Sequence, residues 1–221
     1  MIEISTRRFA DIEALHAAPA GAGDTALPTV LFYHGFTSSK TVYSYFAVAL
    51  AQAGFRVVMP DAPEHGARFN GDAARRLTRF WHILHATITE YPRLRDALRE
   101  EGLVADDRLA IGGASMGAMT ALGIMTHHPE ARAVAALMGS GYFTSLSHTL
   151  FAPDPRGPTP FGPCWRPGMS ARSWRASRIA RCCSGMGKTM TWCPRRRACV
   201  SPARCANTGW TRTSRAPGRQ A

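Results

Sequence analysis

No aspartate or glutamate follows Asp154, no histidine follows His148, and no cysteine precedes Cys164. The cysteine-free first part therefore rests on no disulfide and no thiolate metal site. No stretch approaches the roughly eighteen consecutive apolar residues of a membrane span. The start, M-I-E-I-S-T-R-R-F-A-D, carries no apolar run behind a basic end, so no secretion signal is expected there. Together these absences predict a soluble, cytoplasmic chain with no membrane partner. What is present is 221 residues, enough for one sizeable core and not comfortably enough for two.

The formal charge of +12 would ordinarily point to nucleic acid or an anionic surface, but it is not spread along the chain. Residues 162–221 hold thirteen Lys or Arg and no acid, which leaves residues 1–161 at −1. All six cysteines (Cys164, Cys182, Cys183, Cys193, Cys199 and Cys205) fall in the basic part. Two compositions share one chain: an ordinary globular sequence over 1–161 and an Arg-, Cys- and Pro-rich tail over 162–221.

The first part alternates strand and helix patterns. A hairpin is expected across Ile2 to Ala18, followed by the Gly- and Pro-rich A-P-A-G-A-G-D-T-A-L-P. P-T-V-L-F-Y-H-G is a short apolar run stopped by glycine, as a buried strand should be. Val42, Tyr45, Phe46, Ala49 and Leu50 recur at helical spacing, with Gly54 as the residue past the helix end. The aromatic group Tyr43, Tyr45 and Phe46 reads chiefly as core. F-R-V-V-M-P is a further strand. Asp72 can cap a helix running to about Glu90, and Pro92 can open a second ending near Gly102. Strand R-L-A-I-G, a helix from Met116 stopped by Pro129, and strand A-V-A-A-L-M follow. Strands separated by helices imply an α/β fold, a mostly parallel central sheet with helices on both faces.

Within that pattern G-A-S-M-G, Gly113 to Gly117, falls where the strand Arg108 to Ile111 meets the helix beginning near Met116. A serine hydroxyl is a weak nucleophile, so a fold that uses one must present it on a tight turn and aim backbone N–H groups at the oxyanion that forms. Glycines flank Ser115 because such a turn brings strand and helix backbones too close for side chains. The five-residue pattern is unspecific by itself; the strand before it and the helix after it give it the context of a nucleophile elbow, against the alternative of a glycine-rich strand-to-helix turn with an idle serine.

The chain resembles the α/β-hydrolases. Over residues 1 to about 151 it is very similar to the YjfP-type bacterial carboxylesterases, through L-F-Y-H-G-F-T-S-S, V-V-M-P-D-A-P-E-H-G-A-R-F, G-G-A-S-M-G-A-M-T-A-L-G and M-G-S-G-Y-F-T-S-L. The resemblance implies hydrolysis of small-molecule acyl esters without metal or other cofactor. Ser115 would be the nucleophile, and the backbone N–H groups of Phe36 and Met116 the oxyanion hole. Tyr33 and Phe36 would border an acyl pocket. His34 and His65, in H-G and E-H-G-A-R contexts, are expected to shape loops.

The triad of this fold runs serine, acid, histidine along the chain, so both partners are expected after Ser115. The tail offers neither, and the family's pattern fails over the last sixty or seventy residues, where its remaining strands and helix would lie. A shift of reading frame recovers part of what is missing. Let each new codon take the last base of one residue and the first two of the next. Met186 with Gly187 must then give glycine, Met190 with Thr191 aspartate, Trp192 with Cys193 valine, and Cys182 with Cys183 leucine. The string L-L-L-W-H-G-K-D-D-D-L-V-P is encodable under R-C-C-S-G-M-G-K-T-M-T-W-C-P. It has the form of the family's acid-bearing signature. A frameshift near residues 152–164 is the simplest expectation, and it makes the chain as written catalytically incomplete, its tail disordered, and the strand at Ala133 to Met138 a bare edge.

Competing motifs are weaker. G-M-G-K-T at Gly185 to Thr189 lacks the first glycine of a phosphate loop, Cys182 standing in its place. The cysteines miss the close pairing of zinc sites. His82 and His85 share a helix face without a further ligand, and His127 and His128 end a helix where they favour its dipole. Arg195 to Arg197 with Trp192 and Trp210 could hold a polyanion electrostatically, though nothing marks a specific nucleic-acid site. The rival reading is accordingly a non-catalytic hydrolase-like scaffold with a polyanion-binding tail. Oligomeric state is not legible.

Overall fold

The computed structural model describes residues 1–128, 131 and 133–151. These lie in the first of two compact units into which the chain divides, Met1–Trp174. The expectations placed on the basic tail, including the phosphate-loop fragment, the cysteines and the buried signature, fall outside the described residues.

The sequence opens as a hairpin, β1 (Ile2–Phe9) and β2 (Ile12–Pro19), closed between Phe9 and Ile12. It continues through β3 (Leu27–Tyr33), α1 (Ser44–Gln52), β4 (Arg56–Pro60), α2 (Ala73–Thr78), α3 (Phe80–Glu100), β5 (Val104–Ala114), α4 (Met116–His127), β6 (Ala133–Leu137) and the short α5 (Phe143–Leu146). The sheet order is β1-β2-β4-β3-β5-β6, with β4, β3, β5 and β6 parallel, β2 antiparallel to β4 and β1 antiparallel to β2.

Alternation along the strands separates two apolar layers. Val30 and Phe32 of β3, with Val57 and Met59 of β4, pack with Ala47 and Ala51 of α1. Leu31 and Tyr33, with Val58, face the opposite layer, built from α3 and α4 through Trp81, Leu84, Ile88, Met119 and Ile124. Fully burying a side chain of this size contributes about 1.5–3 kcal/mol. The expected helices on both faces of a mostly parallel sheet are present.

Four local expectations need correction. Helix α1 turns only part of the expected face inward: Phe46 and Leu50 pack against the layer it shares with β3 and β4, but Val42, ahead of the helix, and Tyr45 are 62% and 58% exposed, Ala49 is exposed, and the fully buried positions are Ala47 and Ala51. Small residues let the helix backbone approach the sheet, while Tyr43 and Phe46 lie half-buried along its edge. The helical stretch breaks at Arg79 and not at Pro92, which sits inside α3. One apolar face from Phe80 to Leu98 is buried continuously across that proline, and its burial outweighs the single backbone bond the ring removes. Strand β5 begins at Val104, ahead of the expected Arg108, and passes through Asp106 and Asp107 at positive φ where its register against β3 shifts. Tyr33 does not border a pocket: its side chain is 3% exposed and lies in the α3–α4 layer. Asp72 caps α2 as expected, accepting from the Arg75 N–H at 2.8 Å.

Candidate active site

Strand β5 ends at Ala114, α4 starts at Met116, and Ser115 alone makes the turn between them. Its backbone sits at φ 55°, ψ −117°, a sparsely populated region for a residue with a side chain. Holding it there costs about 1–3 kcal/mol, which the flanking elements must supply. They do so through two backbone bonds: the Ser115 N–H donates to the Leu137 carbonyl at 2.8 Å, and the Met119 N–H donates to the Ser115 carbonyl at 3.1 Å. The glycines answer to close approach. A Cβ on Gly113 would drive into the Gly117 backbone, and one on Gly117 into the Tyr33 carbonyl at the end of β3. The side chain this turn presents is exposed, and its hydroxyl bonds to no described residue.

The chain leaves β3 through His34, Gly35, Phe36 and Thr37 directly beside this turn. A Cβ on Gly35 would lie 3.5 Å from Ser115 Cβ, and one on Gly117 would lie 2.8 Å from the His34 carbonyl. Neither the Phe36 N–H nor the Met116 N–H has an acceptor among the described residues. Two backbone donors and a hydroxyl without partners among the described residues thus belong to two adjoining turns, an arrangement of the kind that a nucleophile and an oxyanion hole require. The Phe36 ring packs on Phe80 and Phe151, each with its centroid 5.0 Å away, and these two stack on one another at 4.6 Å. An apolar aromatic group therefore adjoins the turn.

Both loop histidines are buried and fully bonded. His34 accepts from the Ala62 N–H at Nε2 (3.0 Å) and donates from Nδ1 to the Gly35 carbonyl (2.8 Å). His65 accepts from the Thr37 N–H at Nε2 (3.0 Å) and donates from Nδ1 to the Pro63 carbonyl (2.8 Å). These partners fix each ring as neutral. Burial holds the His34 imidazolium down to about 4, and it lowers the basicity of His65 too. Neither ring has a nitrogen free to take a proton from Ser115, so both shape loops, as the sequence led us to expect. His82 and His85 lie on α3, and His127 ends α4 with His128 at its cap. Among the described residues no group of three or more His, Cys, Asp or Glu is placed to hold a metal ion. No described helix is long and apolar enough to cross a membrane.

Sequence reasoning missed the ionic clamp behind the β3 loop. Asp61, at the end of β4, is 1% exposed and accepts from the Lys40 N–H (2.7 Å), Lys40 Nζ (2.5 Å) and the Ala67 N–H (2.9 Å). Burial is the largest influence on this carboxyl and pushes its pKa up, but the bonds from Lys40 and Ala67 together outweigh it and leave the pKa lowered. Lys40 also reaches Glu13 at 3.1 Å. Partners this far apart in the chain leave no local sequence signal. Tyr43 was missed in a different way: its aromatic neighbours suggested core, yet its phenol stands over Gly35.

Residues 25–162 match the family model described as serine aminopeptidase, S33. Over 153 residues the chain is 66% identical to esterase YjfP of Escherichia coli (strain K12), covering 69% of this chain and 61% of that protein. The crystal structure of TT1662 from Thermus thermophilus superimposes with a TM-score of 0.54 at 24% identity, covering 64% of this chain and 58% of that one, a likeness of fold alone. The chain spans about three fifths of the length of these relatives. The matched span contains the strained serine, both turns around it and the strand order that carries them, and the chain belongs to the serine aminopeptidase S33 family of α/β-hydrolases.

Proposed function

We propose that this chain is the core of a serine esterase acting on small-molecule acyl esters, and that as written it lacks the acid and the histidine that would make it turn over. The observation that carries this reading is Ser115, held at positive φ on the β5–α4 turn with an exposed hydroxyl that bonds to no described residue. In the proposed reaction Ser115 Oγ adds to the ester carbonyl carbon, the carbonyl π pair moves to oxygen, and the N–H groups of Phe36 and Met116 receive that oxyanion. Collapse expels the alcohol and leaves an acyl-serine, which water hydrolyses. The serine proton needs a base, and His34 and His65 are committed elsewhere. We place the triad acid in the alternative reading frame of the tail, within L-L-L-W-H-G-K-D-D-D-L-V-P, and the histidine beyond it. The aromatic group Phe36, Phe80 and Phe151 supports an apolar acyl group. No metal or other cofactor enters the scheme.

The reading is tested by labelling with a fluorophosphonate, which reacts covalently with activated serines. A version restored by one base should be labelled on the peptide containing Ser115. The 221-residue chain should label at least about 10⁴-fold more slowly, the scale on which loss of a triad base acts. Equal labelling of both would sink the claim of incompleteness. Labelling of neither would favour the non-catalytic scaffold.

A further inference from the structure

Tyr43 precedes α1 and lies in an aromatic stack, its ring centroid 6.1 Å from Phe46 and 6.0 Å from Tyr45, with His34 at 6.5 Å. Phe46 and Tyr45 lie near-parallel to the ring, at 24° and 27°. Its phenol oxygen is thereby set against Gly35. A Cβ on that glycine would lie 2.7 Å from the phenol oxygen and 3.5 Å from Ser115 Cβ, so the phenol and the serine face the same side of one residue. This explains why position 35 is glycine: any side chain would occupy the space the two share. The phenol hydroxyl donates to no described residue, and the residue after Gly35 is Phe36, whose N–H is equally unengaged.

We infer that Tyr43 is a further catalytic residue, whose O–H donates a hydrogen bond to the ester carbonyl oxygen as it becomes the oxyanion, beside the N–H groups of Phe36 and Met116. The inference rests on the esterase reading. A neutral phenol fits the task because it donates without placing a charge beside the serine. A donor held by packing also needs little reorganisation as charge develops. No bond to Tyr43 forms or breaks, and its proton stays on the phenol oxygen. An oxyanion donor stabilises the transition state more than the bound ester, so its loss falls on kcat and leaves KM nearly unchanged.

The test uses Tyr43→Phe in the version restored by one base, with two substrates that differ in one atom, 4-nitrophenyl acetate and its thionoester O-(4-nitrophenyl) ethanethioate. Sulfur accepts hydrogen bonds weakly, so a donor aimed at that atom matters less when it is sulfur. With the oxygen ester, kcat should fall roughly 10²-fold with KM within about threefold. With the thionoester the loss should shrink below about tenfold. A rate within threefold of the parent, or an equal loss on both substrates, overturns the role and leaves Tyr43 as a packing residue. An inactive parent enzyme refutes the esterase reading instead, and the Tyr43 role with it.

Discussion

At the scale of single residues the site is a set of uncommitted polar groups beside fully committed ones. Ser115 Oγ and the N–H groups of Phe36 and Met116 have no partner among the described residues, whereas His34, His65, Lys40 and Asp61 are bonded on every side that matters. Tyr33 is a different case. Its hydroxyl is buried in the α3–α4 layer without a partner among the described residues, and burial there pushes its pKa up. A buried hydroxyl that has lost its water and gained no bond costs about 1–3 kcal/mol. Tyr33→Phe keeps the ring and removes that cost. In the version restored by one base it should raise stability by about 1 kcal/mol, read as a higher urea midpoint at unchanged slope. A lower midpoint would show that the hydroxyl has an unrecognised partner.

At the scale of elements, legibility followed how local the determining contacts are. The hairpin, β3, β4, the Asp72 cap and the elbow glycines were readable because each is decided within a few residues. The inward face of α1 was only partly so: Phe46 and Leu50 pack on the sheet as expected, but closeness to it selected Ala47 and Ala51 for the fully buried positions. Pro92 looked like a helix start because proline favours that position, but the buried face of α3 runs through it. In the site, Ser115 and its glycines were legible, while Tyr43 over Gly35 and Lys40 on Asp61 arise only when separate elements pack. One such link sets an acid response. His16 of β2 accepts from Arg56 Nε of β4 at 2.9 Å, and burial, with the charges of Arg56 and Arg7, holds its pKa down to about 4. His34 behaves alike. Unfolded histidine titrates near 6.5, so between about pH 6.5 and 4 the unfolded chain binds more protons and stability falls as pH falls; above 6.5 it is flat. The lowered carboxyl of Asp61 adds stability that is lost below its ordinary range, with the same sign. Urea midpoints of the restored version should therefore drop steadily from about pH 6.5 to 4.5. His16→Gln, which keeps an acceptor for Arg56, should flatten part of that slope. A midpoint constant over this range would contradict the buried neutral histidines.

For the whole molecule, the charge division at residue 161 and the end of family likeness coincide: the family match stops at residue 162, and the strong identity to esterase YjfP extends over 153 residues. Strand β6 is the last in the sheet among the described residues. In the frame-restored reading a further strand, carrying the acid, would pair with it. Without that strand, an edge of unpaired backbone groups favours association between chains. On the proposed reading, the site is assembled around Ser115 but incomplete as written. The most direct test of that reading is paired expression of the 221-residue chain and the version restored by one base, comparing soluble yield and hydrolysis of 4-nitrophenyl acetate, with Ser115→Ala as the blank. The restored enzyme should be soluble and active, and the 221-residue chain poorly soluble with a turnover lower by about 10⁴- to 10⁶-fold. A soluble, cooperatively melting 221-residue chain that hydrolyses the ester within tenfold of the restored version would contradict it.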